Sequence, residues 1–399
     1  MQAERRRLVS RIFFISEGDA ETHDSWSGAS RSVVVHLRGV GYSVRVGDAD
    51  LYGRTRLLTA LRSFALPMRR WWVRYHLGAP AFAGRSAVAA GALAARRGGA
   101  DVIMQVGATF ELPAHERTPI ALYCDSNIEL ARAARASGHS EAAVLAPREL
   151  DEIRAREARV YARASVIFAM SERLRRSFIE DFGIPPERVV TVHCGPSIDV
   201  PEIADVQGIR AVQPPTILFV GRDFNRKGGA LLLAAFDEVR RQMPDARLQM
   251  VGGRPSGRAA VPPGVEFLGF LSRDTEAGRV RLDRAYRGAH AFCVPTQYEP
   301  FGTSFVEAMM YGLPCVGPAA WAVPEIIDHA RTGLLVPPGD PAALASALVG
   351  LLRDPLEAAR MGAAGRSRAL ERFSWDSLVS RISHHLDVTV AAARAARRG

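Results

Sequence analysis

A single lysine, Lys227, stands among the 52 Lys+Arg residues of this 399-residue chain, so every other fixed cation is an arginine. It occupies the run Gly221-Arg222-Asp223-Phe224-Asn225-Arg226-Lys227-Gly228-Gly229. An ammonium is a compact, flexible point charge, whereas a guanidinium is a planar fork, and a crowded phosphate distinguishes the two. The apolar run Thr216 to Val220 precedes the loop, and Ala230 to Phe236, with the composition of a helix start, follows it. Strand, glycine-rich loop and helix together make an anion-binding shape, because the first helical N–H groups point at the loop. A Walker P-loop is excluded, since Gly228 rather than a hydroxyl residue follows Lys227 and leaves magnesium without its ligand. A pyridoxal phosphate Schiff base needs one lysine only and stays open.

A second constellation follows the apolar run Ala291 to Val294, as Pro295-Thr296-Gln297-Tyr298-Glu299-Pro300-Phe301-Gly302-Thr303-Ser304-Phe305-Val306-Glu307. Phe301, Gly302 and Thr303 would present free backbone N–H groups at a helix start, and Gly302 lets a ligand approach the main chain. Glu307, one turn into that helix, is placed to accept hydrogen bonds from ligand hydroxyls. Ser304 and Glu307 also fit a capping box, in which Glu307 serves only the backbone N–H of Ser304. That alternative leaves Glu299, at the loop mouth, unaccounted for.

Two α/β domains must position these loops. Strand candidates in the first half are Arg11 to Ile15, Tyr42 to Val46, Asp101 to Met104, Ile120 to Cys124, Val166 to Ala169 and Val189 to Val192. Helix formers such as Ala142 to Ala162 and Glu172 to Phe182 separate them. The alternation predicts a parallel sheet covered on both faces over residues 1–198. A polar, proline-containing linker, Ile198 to Pro215, follows. The pattern restarts over 216–373 with Thr216 to Val220, Arg247 to Val251, Val265 to Leu268, Ala291 to Val294, Pro314 to Val316 and Leu334 to Val336. Residues 374–399, with Trp375, Leu378, Ile382, Leu386 and Val390 at helical spacing, predict an amphipathic helix that packs back across the domains. The expected fold class is thus two Rossmann-like doubly wound domains facing a cleft, with ligands at the carboxyl ends of the strands.

Composition bounds the function further. The formal charge of +10 lies almost wholly between Leu51 and Ala100, which hold nine arginines and no acidic residue. From Leu57 onward, Leu57, Leu61, Phe64, Met68, Trp71 or Trp72, and Tyr75 recur every three or four residues, with Arg62, Arg69, Arg70 and Arg74 on the opposite face and Pro67 breaking or kinking the helix midway. Such a helix suits an anionic membrane surface; the alternative is an apolar stripe packed on the sheet beneath solvated arginines. No run is long enough for a signal peptide or a membrane span. Cys124, Cys194, Cys293 and Cys315 lack metal-ligand spacing and are expected as buried thiols in a reducing cytoplasm, where the membrane reading of the basic segment would make the chain peripheral on the inner face.

With these motifs in their order, the chain resembles the retaining nucleotide-sugar glycosyltransferases of family 4, which have the GT-B fold. The resemblance rests on Phe219-Val220-Gly221-Arg222 with Lys227-Gly228, on Phe267-Leu268-Gly269-Phe270, on Glu299 and Glu307 eight positions apart, and on Thr332-Gly333-Leu334-Leu335-Val336. It implies that Arg222 and Lys227 neutralise the donor diphosphate, that Glu299 binds the transferred sugar and Glu307 the ribose, and that N–H groups at Phe301, Gly302 and Thr303 hold sugar and phosphate. Gly252, Phe270 and Leu271 would line the base. It implies no metal and no cofactor beyond the nucleotide-sugar co-substrate, and a glycan or lipid-linked acceptor.

The chain departs from that family at three places. Relatives often carry a histidine after the first domain's central strand, where this chain has Asp125, which takes that role or caps the next helix. Trp321 puts a bulky ring at a normally open position of the loop Trp321-Ala322-Val323-Pro324-Glu325. The N-terminal loop offers Ser27 and Gly28 where many relatives have paired glycines. Two rival classes remain: a basic nucleic-acid-binding protein, for which no groove-reading or RNA-binding motif is found, and a GT-B enzyme of other chemistry, a phosphorylase with pyridoxal phosphate on Lys227 or an epimerase.

Overall fold

The computed structural model describes residues 9–22, 28–199, 209–210, 213–255 and 261–396. The chain divides into two compact units, Met1–Cys194 with Trp375–Gly399, and Gly195–Ser374. Most of the expected linker Ile198 to Pro215 lies outside the described residues.

The first unit runs β1 (Arg11–Ser16), α1 (Ala29–Gly39), β2 (Ser43–Asp48), α2 (Gly53–Arg62), α3 (Met68–Leu77), α4 (Ala79–Ala95), β3 (Val102–Val106), β4 (Ile120–Cys124), α5 (Ile128–Ala133), α6 (Pro147–Arg163), β5 (Val166–Ala169), α7 (Glu172–Glu180) and β6 (Val189–Thr191). Its parallel sheet has the order β2-β1-β3-β4-β5-β6. Every residue of β3, β4 and β5 is buried. That is why these strands read as unbroken apolar runs rather than as alternation.

The second unit runs β7 (Thr216–Gly221), α8 (Gly229–Gln242), β8 (Arg247–Gly252), β9 (Val265–Gly269), α9 (Glu276–Gly288), β10 (Ala291–Cys293), α10 (Thr303–Met310), β11 (Cys315–Pro318), α11 (Val323–Ile326), β12 (Gly333–Val336), α12 (Pro341–Arg353) and α13 (Pro355–Phe373). Its strands are parallel in the order β12-β11-β10-β7-β8-β9. The order reverses between β7 and β10, so their following connections diverge to opposite faces and leave a crevice at the strand ends. In the first unit the same reversal falls between β1 and β3.

The tail forms α14 (Trp375–Ala396) and belongs to the first unit. It buries Trp375, Leu378, Ile382, Leu386 and Val390. Trp375 stacks on His36 of α1 with ring centroids 5.1 Å apart. Arg381 donates to the carbonyl of Val192 at 3.2 Å, and the backbone N–H of Val9 donates to Asp387 at 3.1 Å.

The basic segment packs in an unexpected sense. Pro67 breaks the segment into two helices, one of the two expected outcomes, and stands as the N-cap of α3, where its carbonyl accepts the N–H of Arg70 at 2.8 Å and its missing N–H removes no helical bond. The arginines hold α3 down: Arg70 and Arg74 pair with Glu149 at 2.8 and 3.3 Å, and Arg69 donates to the carbonyls of Gly138 and Ser140. Leu57, Leu61, Phe64, Met68 and Trp72 are each more than half exposed. The reading of an apolar stripe packed beneath solvated arginines is therefore overturned. Arg85 is buried against Glu17 and Asp50, and Arg96 pairs with Glu116 at 3.0 Å. Part of the excess charge is thus neutralised by acids from elsewhere in the unit, while Arg54, Arg56 and Arg62 stay exposed.

One half-buried acid gives the first unit a pH-dependent stability. Glu157 of α6 accepts the backbone N–H of Ile128 at 3.0 Å, and burial pushes its carboxyl from 4.5 up to about 8. Between those values the folded chain keeps a proton that the unfolded chain has lost, so stability falls as pH rises through the window and levels off above it. In thermal melts taken across that range, Glu157→Gln is expected to lose this downward slope relative to the unsubstituted protein. Parallel slopes for the two proteins would refute the assignment.

Candidate active site

The loops after β7, β8 and β10 pack backbone to backbone at the switch point of the second sheet. Gly228 caps α8 with φ 76°, and a Cβ there would lie 2.0 Å from the carbonyl oxygen of Pro295. Gly252, at φ 106°, would bring a Cβ to 2.3 Å from the carbonyl oxygen of Gly221. Only glycine meets both the left-handed backbone and the close approach.

Within this frame Lys227 turns inward. Its Nζ pairs with a carboxylate oxygen of Glu299, and the two side chains are 13% and 6% exposed. Burial lowers the titration of Lys227, and Glu299 opposes that shift without cancelling it. Arg226 donates to the carbonyl of Tyr298 at 3.0 Å, fixing the loop that carries Glu299. The cation expected on a diphosphate and the carboxylate expected on sugar hydroxyls thus hold each other. Arg222 is exposed, with its guanidinium 5.6 Å above the ring of Phe270, itself exposed, while Leu271 is buried.

Past β10, Phe301 is buried and Gly302, at φ 114°, is the N-cap of α10 without a side-chain cap. The first helical N–H groups, from Thr303 onward, are those a helix leaves without intrahelical partners. Glu307 is fully buried. It accepts the backbone N–H of Ser197 at 3.2 Å, the guanidinium of Arg273 at 2.8 Å and the hydroxyl of Tyr286 at 3.0 Å. The capping-box alternative is overturned, because Glu307 bonds the backbone of Ser197 instead of Ser304. The same three donors occupy the carboxylate expected to bind ribose. Burial alone would lower Arg273, but Glu307 outweighs it and raises the guanidinium's titration.

Arg273, Tyr286 and Ser197 were not foreseen as members of this site. Arg273 lies two residues past Leu271 in a loop already singled out, which was the available signal. Trp321 adopts φ 62° and sets its ring edge-on to Tyr298 at 5.7 Å, beside the Glu299 loop.

In the first unit, Asp125 follows β4, but Asn127 caps α5, accepting the N–H of Leu130 at 2.9 Å. Capping is therefore not the duty of Asp125. Gly28, at φ 87°, is the N-cap of α1, and Ser27 lies outside the described residues. All four cysteines are buried and unbridged. Among the described residues no three His, Cys, Asp or Glu side chains gather as metal ligands.

Residues 214–354, which carry the whole of this second-unit geometry apart from Ser197, match the family described as glycosyl transferases group 1. The second unit is a group 1 glycosyltransferase domain. The chain is 38% identical over 171 residues to the phosphatidyl-myo-inositol mannosyltransferase of Mycobacterium leprae, covering 42% of this chain and 45% of that protein. It is 30% identical over 242 residues to the GDP-mannose-dependent alpha-(1-6)-phosphatidylinositol monomannoside mannosyltransferase of Mycolicibacterium smegmatis, covering 56% and 62%. The chain thus spans about half the length of these curated relatives. Around the glycosyltransferase domain the whole chain has the GT-B fold. Sucrose-phosphate synthase from Thermosynechococcus elongatus superposes over 96% of this chain and 100% of its own at TM-score 0.70 and 20% identity. Anabaena HepE in complex with UDP and glucose does so over 94% and 98% at 0.57 and 18%.

Proposed function

We propose that the chain transfers a sugar from a nucleoside-diphosphate donor to a hydroxyl of a lipid-linked or glycan acceptor, with retention at the anomeric carbon and without a metal or cofactor. The observation that carries this reading is the buried Lys227–Glu299 pair at the switch point of a group 1 glycosyltransferase domain. A donor diphosphate recruits Lys227 and Arg222, two cations that supply the charge a metal would otherwise bring. Glu299, released from Lys227, accepts hydroxyls of the transferred sugar, and the N–H groups at Phe301, Gly302 and Thr303 hold sugar and phosphate. Ribose hydroxyls take the place of Arg273 on Glu307, and the base lies against Gly252, Phe270 and Leu271. The acceptor oxygen replaces the phosphate oxygen at the anomeric carbon, and its proton ends on the released diphosphate. Asp125 and Gly28 are our candidates on the acceptor's side.

The relatives named for phosphatidylinositol substrates support a lipid acceptor. No helix among the described residues is long and apolar enough to cross a membrane. The exposed Leu57, Leu61, Phe64, Met68 and Trp72, with the exposed Arg54, Arg56 and Arg62, support seating on an anionic lipid surface, which our reading puts at the inner, cytoplasmic face. Each arginine contributes about 1 kcal/mol there. The reading is tested by thermal melts with GDP, UDP and ADP: one of them is expected to stabilise the protein by about 2.7 kcal/mol at a hundred times its Kd. Stabilisation by none of the three would sink it.

A further inference from the structure

A cavity of about 120 Å³ lies in the first unit where the end of α2, the body of α3 and the start of α4 meet α6. None of the candidate residues of the transfer site lines it. The helices around it are tied together. Trp71 donates its indole N–H to the carbonyl of Ala60 at 2.8 Å, joining α3 to α2. Gly78 is at once the last cap of α3 and the first cap of α4, and a Cβ there would lie 2.3 Å from the carbonyl oxygen of Arg74.

The wall holds donors that the fold leaves unused. Ser63 is 1% exposed and its Oγ has no hydrogen-bond partner, although a buried hydroxyl ordinarily finds one. Arg62 is exposed and makes no hydrogen bond or ion pair among the described residues. Arg156 gives one N–H to the carbonyl of Leu77 at 2.9 Å and keeps the rest of its fork free of any carboxylate partner among the described residues. Burial lowers the titration of Arg156, Arg159 adds to that, and Glu152 offsets it only in part. The helix α4 starts without a side-chain cap or an acidic residue in its first turn, so the N–H of Ala79 meets the cavity at the positive end of the helix dipole. The two acids on the wall already have partners: Glu149 accepts the N–H of Ala146 at 2.8 Å and pairs with Arg70 and Arg74, and Glu152 pairs with Arg148 at 3.3 Å.

These donors select the occupant. Guanidinium and helix N–H groups only donate, so the ligand must accept, and the uncompensated charge requires an anion. Donors arriving from α2, α4 and α6 surround their target in the way a tetrahedral oxyanion needs, and arginine with a helix start is the pairing that phosphate favours. The volume falls well below the roughly 300 Å³ at which pockets for larger ligands begin, so the cavity takes the phosphate and not a nucleotide around it.

We propose that this cavity binds a phosphate group, with Arg62, Arg156, Ser63 and the N–H of Ala79 as its donors, as a second phosphate site besides that of the sugar donor. The group arrives free or as a lipid headgroup, since Leu61 and Phe64, chain neighbours of Arg62 and Ser63, are exposed apolar side chains. Amide NMR on the isotope-labelled full chain tests it residue by residue, so that phosphate held by Arg222 and Lys227 is not mistaken for it. Inorganic phosphate, titrated at constant ionic strength against chloride, is expected to move the amides of Ser63, Gly78 and Ala79 along one saturation curve. Arg62→Gln should weaken that curve about tenfold and Ser63→Ala about threefold, without lowering the melting midpoint, because neither side chain has a partner to lose. Arg54→Gln, exposed on α2 and off the cavity, should change nothing. Co-sedimentation with phosphatidylcholine vesicles carrying phosphatidic acid, or phosphatidylglycerol at equal surface charge, makes the second arm; a headgroup source predicts tighter binding to phosphatidic acid and about a threefold loss with Ser63→Ala. A response to free phosphate alone, or to phosphatidic acid vesicles alone, upholds the site and names its source. Silent amides together with vesicle binding that ignores both headgroup and Ser63→Ala would overturn the proposal, as would an Arg54→Gln variant as impaired as Arg62→Gln. Either result leaves the nucleotide melts of the transfer reaction untouched.

Discussion

Lys227→Ala is expected to lower kcat/KM for sugar transfer by a hundredfold to a thousandfold, the usual cost of removing one preorganised group that stabilises charge in the transition state. The same substitution leaves Glu299, 6% exposed, as a buried carboxylate without its cation. Breaking one side of such a pair costs about 3–5 kcal/mol of stability. The two losses are separable. Lys227→Ala with Glu299→Ala removes both charges and is expected to regain most of the stability while staying inactive. Thermal melts of the two single variants and the double variant check the first point, and initial rates with a nucleotide sugar check the second. A double variant as unstable as Lys227→Ala would mean that the buried pair does not set the cost, and an active one would remove Lys227 from the chemistry.

Glu307→Ala is expected to carry a structural penalty as large as that of Lys227→Ala. The substitution strips Arg273 of its carboxylate and leaves the N–H of Ser197 and the hydroxyl of Tyr286 without their acceptor. About 3–5 kcal/mol should be lost, which for a unit of this size lowers the melting midpoint by roughly 10 °C. Glu307→Gln keeps an acceptor for Ser197 and should cost less, because only the charge on Arg273 goes uncompensated. A change of under about 1 °C for the alanine variant would place the carboxylate outside any buried cluster. Nucleotide affinity measured on the glutamine variant then reads the ribose contact apart from folding.

The strands were legible in the sequence because buried parallel strands announce themselves as short apolar runs: Ile120 to Cys124 and Val166 to Ala169 coincide with β4 and β5 to the residue. The same logic left two readings open at α3, because apolar spacing alone does not show that Glu149, far along the chain, captures Arg70 and Arg74. Within the candidate site, residue types and loop positions were readable, and partnerships were not. Lys227 meets Glu299 across 72 positions, and Glu307 meets Arg273 and Ser197 across 34 and 110. No local period encodes such pairings, which arise only when the strand order of the sheet sets loops side by side. Arg85 was hidden for a related reason. It sits in an alanine-rich helix where arginine is ordinarily a surface residue, and only the acids after β1 and β2 explain its burial.

The return of α14 to the first unit inverts the order in which the chain is made and the order in which it is finished. During synthesis β1 to β6 leave the ribosome early, yet the seat for Trp375, Leu378 and Ile382 stays vacant until everything from Gly195 to Ser374 has been translated. The later-made unit, one uninterrupted stretch, can therefore complete its core before the earlier-made one. Nascent chains stalled short of α14 should present an apolar groove beside α1 to the cell's chaperones. A premature stop codon anywhere between Gly195 and α14 would thus injure a unit most of which had already been made.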